Sequence, residues 1–199
     1  GGVSLNGDFH YEGERLFGHG SMPLYGEHNL MNMAAAIAAT KVLGIGNDHI
    51  EKGLKDFHGL PHRLEDVGVF HGIRYINNSM CTNASAAIAS FRAVMGSRIV
   101  ILGGRHKGDE GERYFDELIA GAKACVLLGE NARQAAEYLE AHGYTNYAIA
   151  RDMVDAVREA RGYARSGDII FLNPGFASFD RFRDFEERGE AFKNAARQD

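Results

Sequence analysis

The chain has 199 residues, enough for one large domain or one and a half small ones, and its 45% hydrophobic content can build a real core. A balance of 22 basic against 27 acidic residues, net −5, excludes a nucleic-acid footprint. Two cysteines, Cys81 and Cys125, imply neither a disulfide framework nor a four-cysteine zinc site and suit a reducing cytoplasm, and no apolar run approaches the roughly 20 residues of a membrane helix.

Residues 3–5, 9–11 and 15–18 read as short strands, with Asn6-Gly7 and Glu12-Gly13 as turns. The opening Gly1-Gly-Val-Ser-Leu resembles the middle of a β-region, so a longer parent protein is expected. An alanine-rich helix over 30–43 ends at Gly44, and Asn47 or Asp48 is placed to cap a second helix through 57. The loop Gly59-Leu-Pro-His-Arg63 marks a change of pattern, and a boundary is set there, giving domains 1–59 and 60–199. Strands over 64–70 and 73–77 then form a hairpin around His71-Gly72. Helices over 84–94, 114–120, 132–142 and 153–164 alternate with strands over 98–102, 124–128, 146–150 and 168–172. A turn of small and polar residues and a charged helix bearing Phe182 and Phe185 complete the chain. Alternation of this kind means βαβ units, an α/β fold and a mainly parallel, Rossmann-like sheet with helices on both faces.

Five stretches carry chemistry. In Gly26-Glu-His-Asn-Leu-Met-Asn32, Asn29 and Asn32 share one helical face, suited to a purine or phosphate or simply to capping. Arg63 follows Pro61-His62 and suits a phosphate clamp or a surface ion pair with Glu65. Asn77-Asn-Ser-Met-Cys-Thr-Asn83 is dense in short hydrogen-bonding groups, of which Thr82 or Asn83 is placed to cap a helix, and Cys81 has no base beside it. Gly103-Gly-Arg-His-Lys-Gly108 lacks Walker spacing but sets Arg105, His106 and Lys107 at a strand's carboxyl end, fit for phosphate or carboxylate or for a solvated turn. Ser178, past the last strand, suits a ligand carboxylate or a helix cap. Arg188 is placed to pair with Asp184 at i,i+4, Phe185 to serve both core and site, and Phe182 and Phe192 the core. His58 and His62 are separated by Gly59 and Pro61, so no metal site is expected.

Taken in order, GEHNLMN at 26–32, GLPHRLE at 59–65, INNSMCTN at 76–83, ILGGRHKG at 101–108 and NPGFASFDRFRDFEERGEAF at 173–192 resemble the Mur ligase family over essentially the whole chain. The last block points to its D-glutamate-adding branch. The resemblance implies an ATP-dependent amide ligase of peptidoglycan synthesis, joining D-glutamate to UDP-N-acetylmuramoyl-L-alanine with Mg2+, cytoplasmic and monomeric, with no membrane or nucleic-acid partner. It implies that 1–59 is the end of a central ATPase domain, its P-loop outside this chain, and that 60–199 is the C-terminal Rossmann-like domain. By residue, it implies nucleotide contacts from Asn29, Asn32, Arg63 and Asn78. It implies a glutamate pocket from Thr82, Lys107, Ser178, the backbone near Phe179, and Phe185, with Arg63 and Lys107 as the catalytic cations. The family's usual aspartate and lysine are Asn78 and Met80 here, and Asn173 and Phe176 stand where serine and cysteine are commoner. A ligase for another amino acid or acceptor, and a non-catalytic ligand-binding domain, remain the alternatives.

Overall fold

The computed structural model describes residues 3–5, 8–18, 27–105 and 111–198. The Asn6-Gly7 turn, Gly26 and the His106, Lys107 and Gly108 positions lie outside the described residues. The chain divides into two compact units, Gly1–Gly59 and Leu60–Asp199.

In the first unit, β1 (Val3–Leu5), β2 (Asp8–Tyr11) and β3 (Glu14–Gly18) form an antiparallel sheet, followed by α1 (Glu27–Val42) and α2 (Asn47–Asp56). Phe9, Phe17, Met33, Ile37 and Ile50 make a small separate core. Neither Asn47 nor Asp48 caps α2. Gly46 takes that position without a side-chain bond, and the Asn47 side chain instead accepts from Lys41 Nζ at 2.9 Å.

The second unit is an α/β domain. Its elements are β4 (Glu65–Phe70), β5 (Ile73–Asn77), α3 (Ala84–Ala93), β6 (Arg98–Leu102), α4 (Gly111–Gly121), β7 (Ala124–Leu127), α5 (Ala132–Ala141), β8 (Tyr147–Ile149), α6 (Met153–Tyr163), β9 (Ile169–Leu172) and α7 (Phe185–Arg197). The sheet order is β4-β5-β9-β6-β7-β8, parallel except for the edge pair β4–β5. Strand alternation sorts the side chains into two cores. Ile99 and Ile101 of β6 pack with Met153, Ala156 and Phe192 of α6 and α7, whereas Val100 and Leu102 pack with Phe91, Tyr114 and Leu139 of α3, α4 and α5. Each large side chain buried this fully contributes about 1.5–3 kcal/mol.

This sorting fixes where a ligand can sit. The chain leaves β5 and β6 toward the α3–α5 face, but leaves the intervening β9 toward the α7 face. Connections therefore diverge on both sides of β9, which opens a crevice past its carboxyl end. The register sets Leu172 of β9 level with Asn77 of β5 and Ile101 of β6, so the three strands end together.

The last helix differs from expectation. It begins at Phe185, capped by Asp184, whose side chain accepts from Glu187 N at 2.7 Å. Phe182 lies before the helix, packed against the α6–α7 core.

Candidate functional site

Three turns meet at the crevice. The first follows β5 and carries Asn78, Ser79 and Thr82. The second follows β6 at Gly103-Gly104. The third follows β9, from Asn173 to Ser178. The second and third approach so closely that only glycine fits. Gly104 has φ +144°, and a Cβ there would lie well inside contact distance of the Ala177 carbonyl. Arg105 N donates to Ala177 O at 2.8 Å, which joins the two turns.

Arg188 of α7 ties all three together. It is 2% exposed, and contrary to the i,i+4 expectation its side chain turns to the strand ends instead of to Asp184. Its Nε donates to Ser79 Oγ (3.0 Å), one terminal nitrogen to Ser79 O (2.8 Å), and the other to Phe176 O (3.0 Å) and, at 3.5 Å, Gly103 O. These acceptors stand where the strands have ended, beyond the last ladder bonds, and a guanidinium can satisfy several of them at once. Asp184 pairs instead with Arg183, at 2.9 Å. Burial pushes the Arg188 pKa down to about 10, and Asp180 acts against that shift. At neutral pH Arg188 is therefore a buried cation bonded to neutral oxygens. Its charge favours an anion in the crevice above it.

Arg63 sits on a strained turn. The residues on either side of it, His62 (φ 63°) and Leu64 (φ 48°), both lie in the left-handed region. Such a conformation costs a non-glycine residue about 1–3 kcal/mol, and strain of this kind gathers at functional sites. Several bonds clamp this turn. His62 N donates to Glu65 Oε2 (2.8 Å), Leu64 N to Asn78 Oδ1 (3.1 Å), and Met80 N to His62 O (3.0 Å). Asn77 Nδ2 bonds both His62 Nδ1 (3.0 Å) and Glu65 Oε2 (2.9 Å). The His62 ring, 5% exposed, meets the Phe185 ring edge-on at 6.1 Å. Glu65 takes Lys193 at 3.2 Å rather than Arg63, which leaves Arg63 exposed outside the clamp.

The other expected site residues are placed as follows. Thr82 is half-buried, and Asn83 rather than Thr82 caps α3, accepting from Ala86 N at 2.8 Å. Ser178 is 2% exposed at the crevice; its carbonyl accepts from Arg181 and Phe182 N–H groups, and it does not cap α7. Phe179 is 60% exposed, and Phe185 is half-buried against His62. Asn78 is 3% exposed, with both ends of its amide bonded inside the fold, Nδ2 donating to Asn173 Oδ1 at 2.9 Å. Lys107 lies outside the described residues, and Arg105 pairs with Glu130 at 3.0 Å. Burial raises the Cys81 thiol to about 11, which suits an inert side chain rather than a nucleophile. Asn29 of α1 is 7% exposed and accepts a long bond (3.4 Å) from Asn32 Nδ2, so the two amides share one face in the first unit. Among the described residues no group of three or more His, Cys, Asp or Glu side chains could hold a metal ion. His62, Asn77 and Arg188 lie within the sequence motifs, but their residue types alone assign them no part in this arrangement; the local sign of it is Gly189, which makes room for the His62 ring.

Two variants probe the clamp. A helix-interior Gly→Ala change ordinarily stabilises by about 1 kcal/mol. At Gly189 of α7 a Cβ would collide with His62 Nδ1, so Gly189→Ala should instead destabilise by about 1–3 kcal/mol, read from the urea midpoint. Burial alone would raise the Glu65 pKa, but the His62 N–H and Lys193 hold it below the ordinary 4.5. A lowered carboxylate pKa stabilises the fold above the unfolded value, and that stabilisation is lost as pH falls through the folded value. Glu65→Gln should therefore be less stable than the parent at pH 7, with the gap closing below about pH 4; a gap of constant size would show that the Glu65 charge contributes nothing.

Residues 62–176 match the family described as Mur ligase, glutamate ligase domain. A UDP-N-acetylmuramoylalanine--D-glutamate ligase of Pelotomaculum thermopropionicum is 42% identical over 170 residues, 85% of this chain and 37% of that protein. Its namesake in Caldicellulosiruptor saccharolyticus is 34% identical over 196 residues, 96% of this chain and 43% of that protein. The chain thus spans about two fifths of the length of these curated relatives. In fold it is similar to a bifunctional folylpolyglutamate synthase/dihydrofolate synthase of Yersinia pestis (TM-score 0.69, 19% identity, 98% of this chain and 45% of that one). It is similar also to the UDP-N-acetylmuramate-alanine ligase of Thermotoga maritima (TM-score 0.64, 15% identity, 87% and 38%). With more than half its length matched by that family's glutamate ligase domain, the chain belongs to the Mur ligase family.

Proposed function

We propose that this chain is the C-terminal part of an ATP-dependent, ADP-forming ligase that joins D-glutamate to UDP-N-acetylmuramoyl-L-alanine in peptidoglycan synthesis. Residues 1–59 are then the end of a central ATP-binding domain, and residues 60–199 the amino-acid-binding domain. The observation that carries this reading is the crevice past β9. It gathers a buried cation, a half-buried threonine and a buried serine beside an exposed arginine on a strained turn. A small amino acid with two carboxylates needs such fixed positive charge and short hydroxyls. The relatives that share 34–42% of the sequence are named for D-glutamate.

ATP would supply the phosphoryl group that activates the carboxylate of the UDP-linked acceptor. Asn29 and Asn32 are the proposed contacts on the adenine side, and Arg63 the phosphate contact. Both amides and an exposed guanidinium fit those tasks. Among the described residues no group of three or more His, Cys, Asp or Glu side chains is placed to hold Mg2+. Lys107 would hold a carboxylate of the incoming glutamate, and Ser178 and Thr82 would bond its oxygens. Phe185 and the backbone near Phe179 would wall the pocket. With the carboxylates fixed, the amine is aimed at the activated carbonyl, and Arg63 and Lys107 offset the negative charge gathered there. A monomer in the cytoplasm fits this role, and no described helix is long and apolar enough to cross a membrane.

ADP release by the full-length ligase, measured with and without each substrate, tests the reading. Release should require both D-glutamate and the UDP-linked acceptor. Turnover with another amine but not D-glutamate would move the reading to a different amino acid. In the same assay Lys107→Ala should raise KM for glutamate strongly, and Ser178→Ala should weaken glutamate binding by about 1–3 kcal/mol. A Ser178→Ala variant with lower melting temperature and unchanged KM would make Ser178 structural.

A further inference from the structure

Past the crevice floor, two side-chain amides meet in a place where neither can turn over. Asn173 is fully buried at the end of β9. Its Nδ2 donates to Ala87 O at 2.9 Å and to Tyr114 Oη at 2.9 Å. The Tyr114 hydroxyl spends its own proton on Asn173 O at 2.6 Å, so it can only accept from the side chain. Asn173 Oδ1 must therefore face Asn78 as an acceptor, and it receives Asn78 Nδ2 at 2.9 Å. Asn78 Oδ1 is left to accept from Leu64 N at 3.1 Å. A backbone N–H can only donate and a backbone carbonyl can only accept, so both ends of this relay are fixed. The bonds run in one direction, from Leu64 through Asn78 and Asn173 to Ala87. Its first donor belongs to a leucine with φ 48°, the residue next to Arg63.

We propose that Asn78 is a positioning residue: its amide, paired in one direction with Asn173, ties the strained turn that carries Arg63 to the end of β9. The proposal takes Arg63 as the phosphate contact of the proposed ligase. The chemistry of the pair follows from the donor count. A carboxylate at 78 still accepts from Leu64 but sets oxygen against Asn173 Oδ1. Asn173 cannot answer by turning over, because its NH2 would leave Ala87 O and Tyr114 Oη unpaired in a fully buried site. A hydroxyl at 173, by contrast, can donate to a carboxylate at 78. The identities at 78 and 173 are thus coupled, and the charge at 78 matters through its neighbour rather than through the nucleotide.

A two-by-two cycle of Asn78→Asp and Asn173→Ser in the full-length ligase tests this. Three readouts apply: urea unfolding at pH 7, hydrogen exchange of the Leu64 amide, and KM for ATP. Asn78→Asp should lower the folding constant by about tenfold or more, and Asn173→Ser, which on its own costs stability by removing the donor to Ala87 O, should cost at least about fivefold less when combined with Asn78→Asp than alone. Leu64 exchange should accelerate in the single variant, by more than amides of β7 do, and slow again in the double. KM for ATP should rise and return in step with it. Additive stabilities would overturn the proposal. So would a KM for ATP that follows the charge at 78 whatever stands at 173, which is the behaviour of a direct nucleotide contact. Should both aspartate variants fail to fold, Asn78→Ala gives the decision: equal acceleration at Leu64 and in β7 would overturn the proposal, and selective acceleration would sustain it. The unfolding and exchange arms need no turnover. A ligase inactive with D-glutamate would therefore sink the proposed function and still leave this relay to be judged.

Discussion

The crevice depends on one interaction, the burial of the Arg188 guanidinium beneath three strand ends. Parallel strands that stop level with one another leave carbonyls beyond the ladder, and here the connections diverge, so no neighbouring strand can serve them. Arg188 reaches Ser79, Phe176 and, at longer range, Gly103 from a single helix position. Burying a cation is costly, and a pKa lowered to about 10 reflects that cost. The several neutral acceptors offset it without cancelling the charge. A carboxylate partner in direct contact would have satisfied the guanidinium and also removed the positive potential from the crevice. The same contacts therefore hold the turns together and keep the site attractive to anions.

A second constraint follows from the first. Helix α7 must lie close against the turn after Pro61, and Gly189 allows this by leaving space for the His62 ring. Asn77 then fixes that ring. Its Oδ1 accepts from Ser79 N at 3.1 Å, so its Nδ2 must face His62 Nδ1 and Glu65. The ring, held by the Asn77 amide on one side and seated against Gly189 on the other, is a wedge between this turn and α7. Arg63, next in the chain, is left as the exposed charge of this turn. Two strained residues thus present one arginine and keep its neighbour's ring out of the solvent.

Much of this was legible in the sequence, for reasons that differ by element. The alternation of apolar strands with helices comes from burial on two faces, and the pattern of Ile99 to Leu102 shows it directly. Helix starts were less legible, because several residues nearby can cap. Asn83 and Asp184 cap as short polar side chains do, but at α2 Gly46 takes the place of Asn47. The placement of Arg188 could not be read at all. Helix spacing offers Asp184 as a partner only if the arginine faces water, and which face of α7 is buried depends on the strand order. The nucleotide role of Asn78 is implied by the family resemblance alone, and the residue type does not decide it, because a short amide after a strand looks alike whether it faces solvent or another amide.

That ambiguity has a physical origin that extends beyond this chain. The polar residues needed to end parallel strands and those needed to bind a ligand are the same types, set at the same strand ends. Composition cannot separate them, but donor and acceptor bookkeeping can. At Asn78 both ends of the amide are used by groups whose roles are fixed, Leu64 N–H and Asn173 Oδ1. At Asn77 the same holds, through Ser79, His62 and Glu65. The crevice is thus built in two levels. The lower level is a closed network of amides and one guanidinium, in which each group's orientation is dictated by a backbone group at its end. The upper level is formed by short hydroxyls and the exposed Arg63, which the lower level aims. A substitution in the lower level acts on the upper one through orientation, so a charge difference there need not be a difference in what is bound.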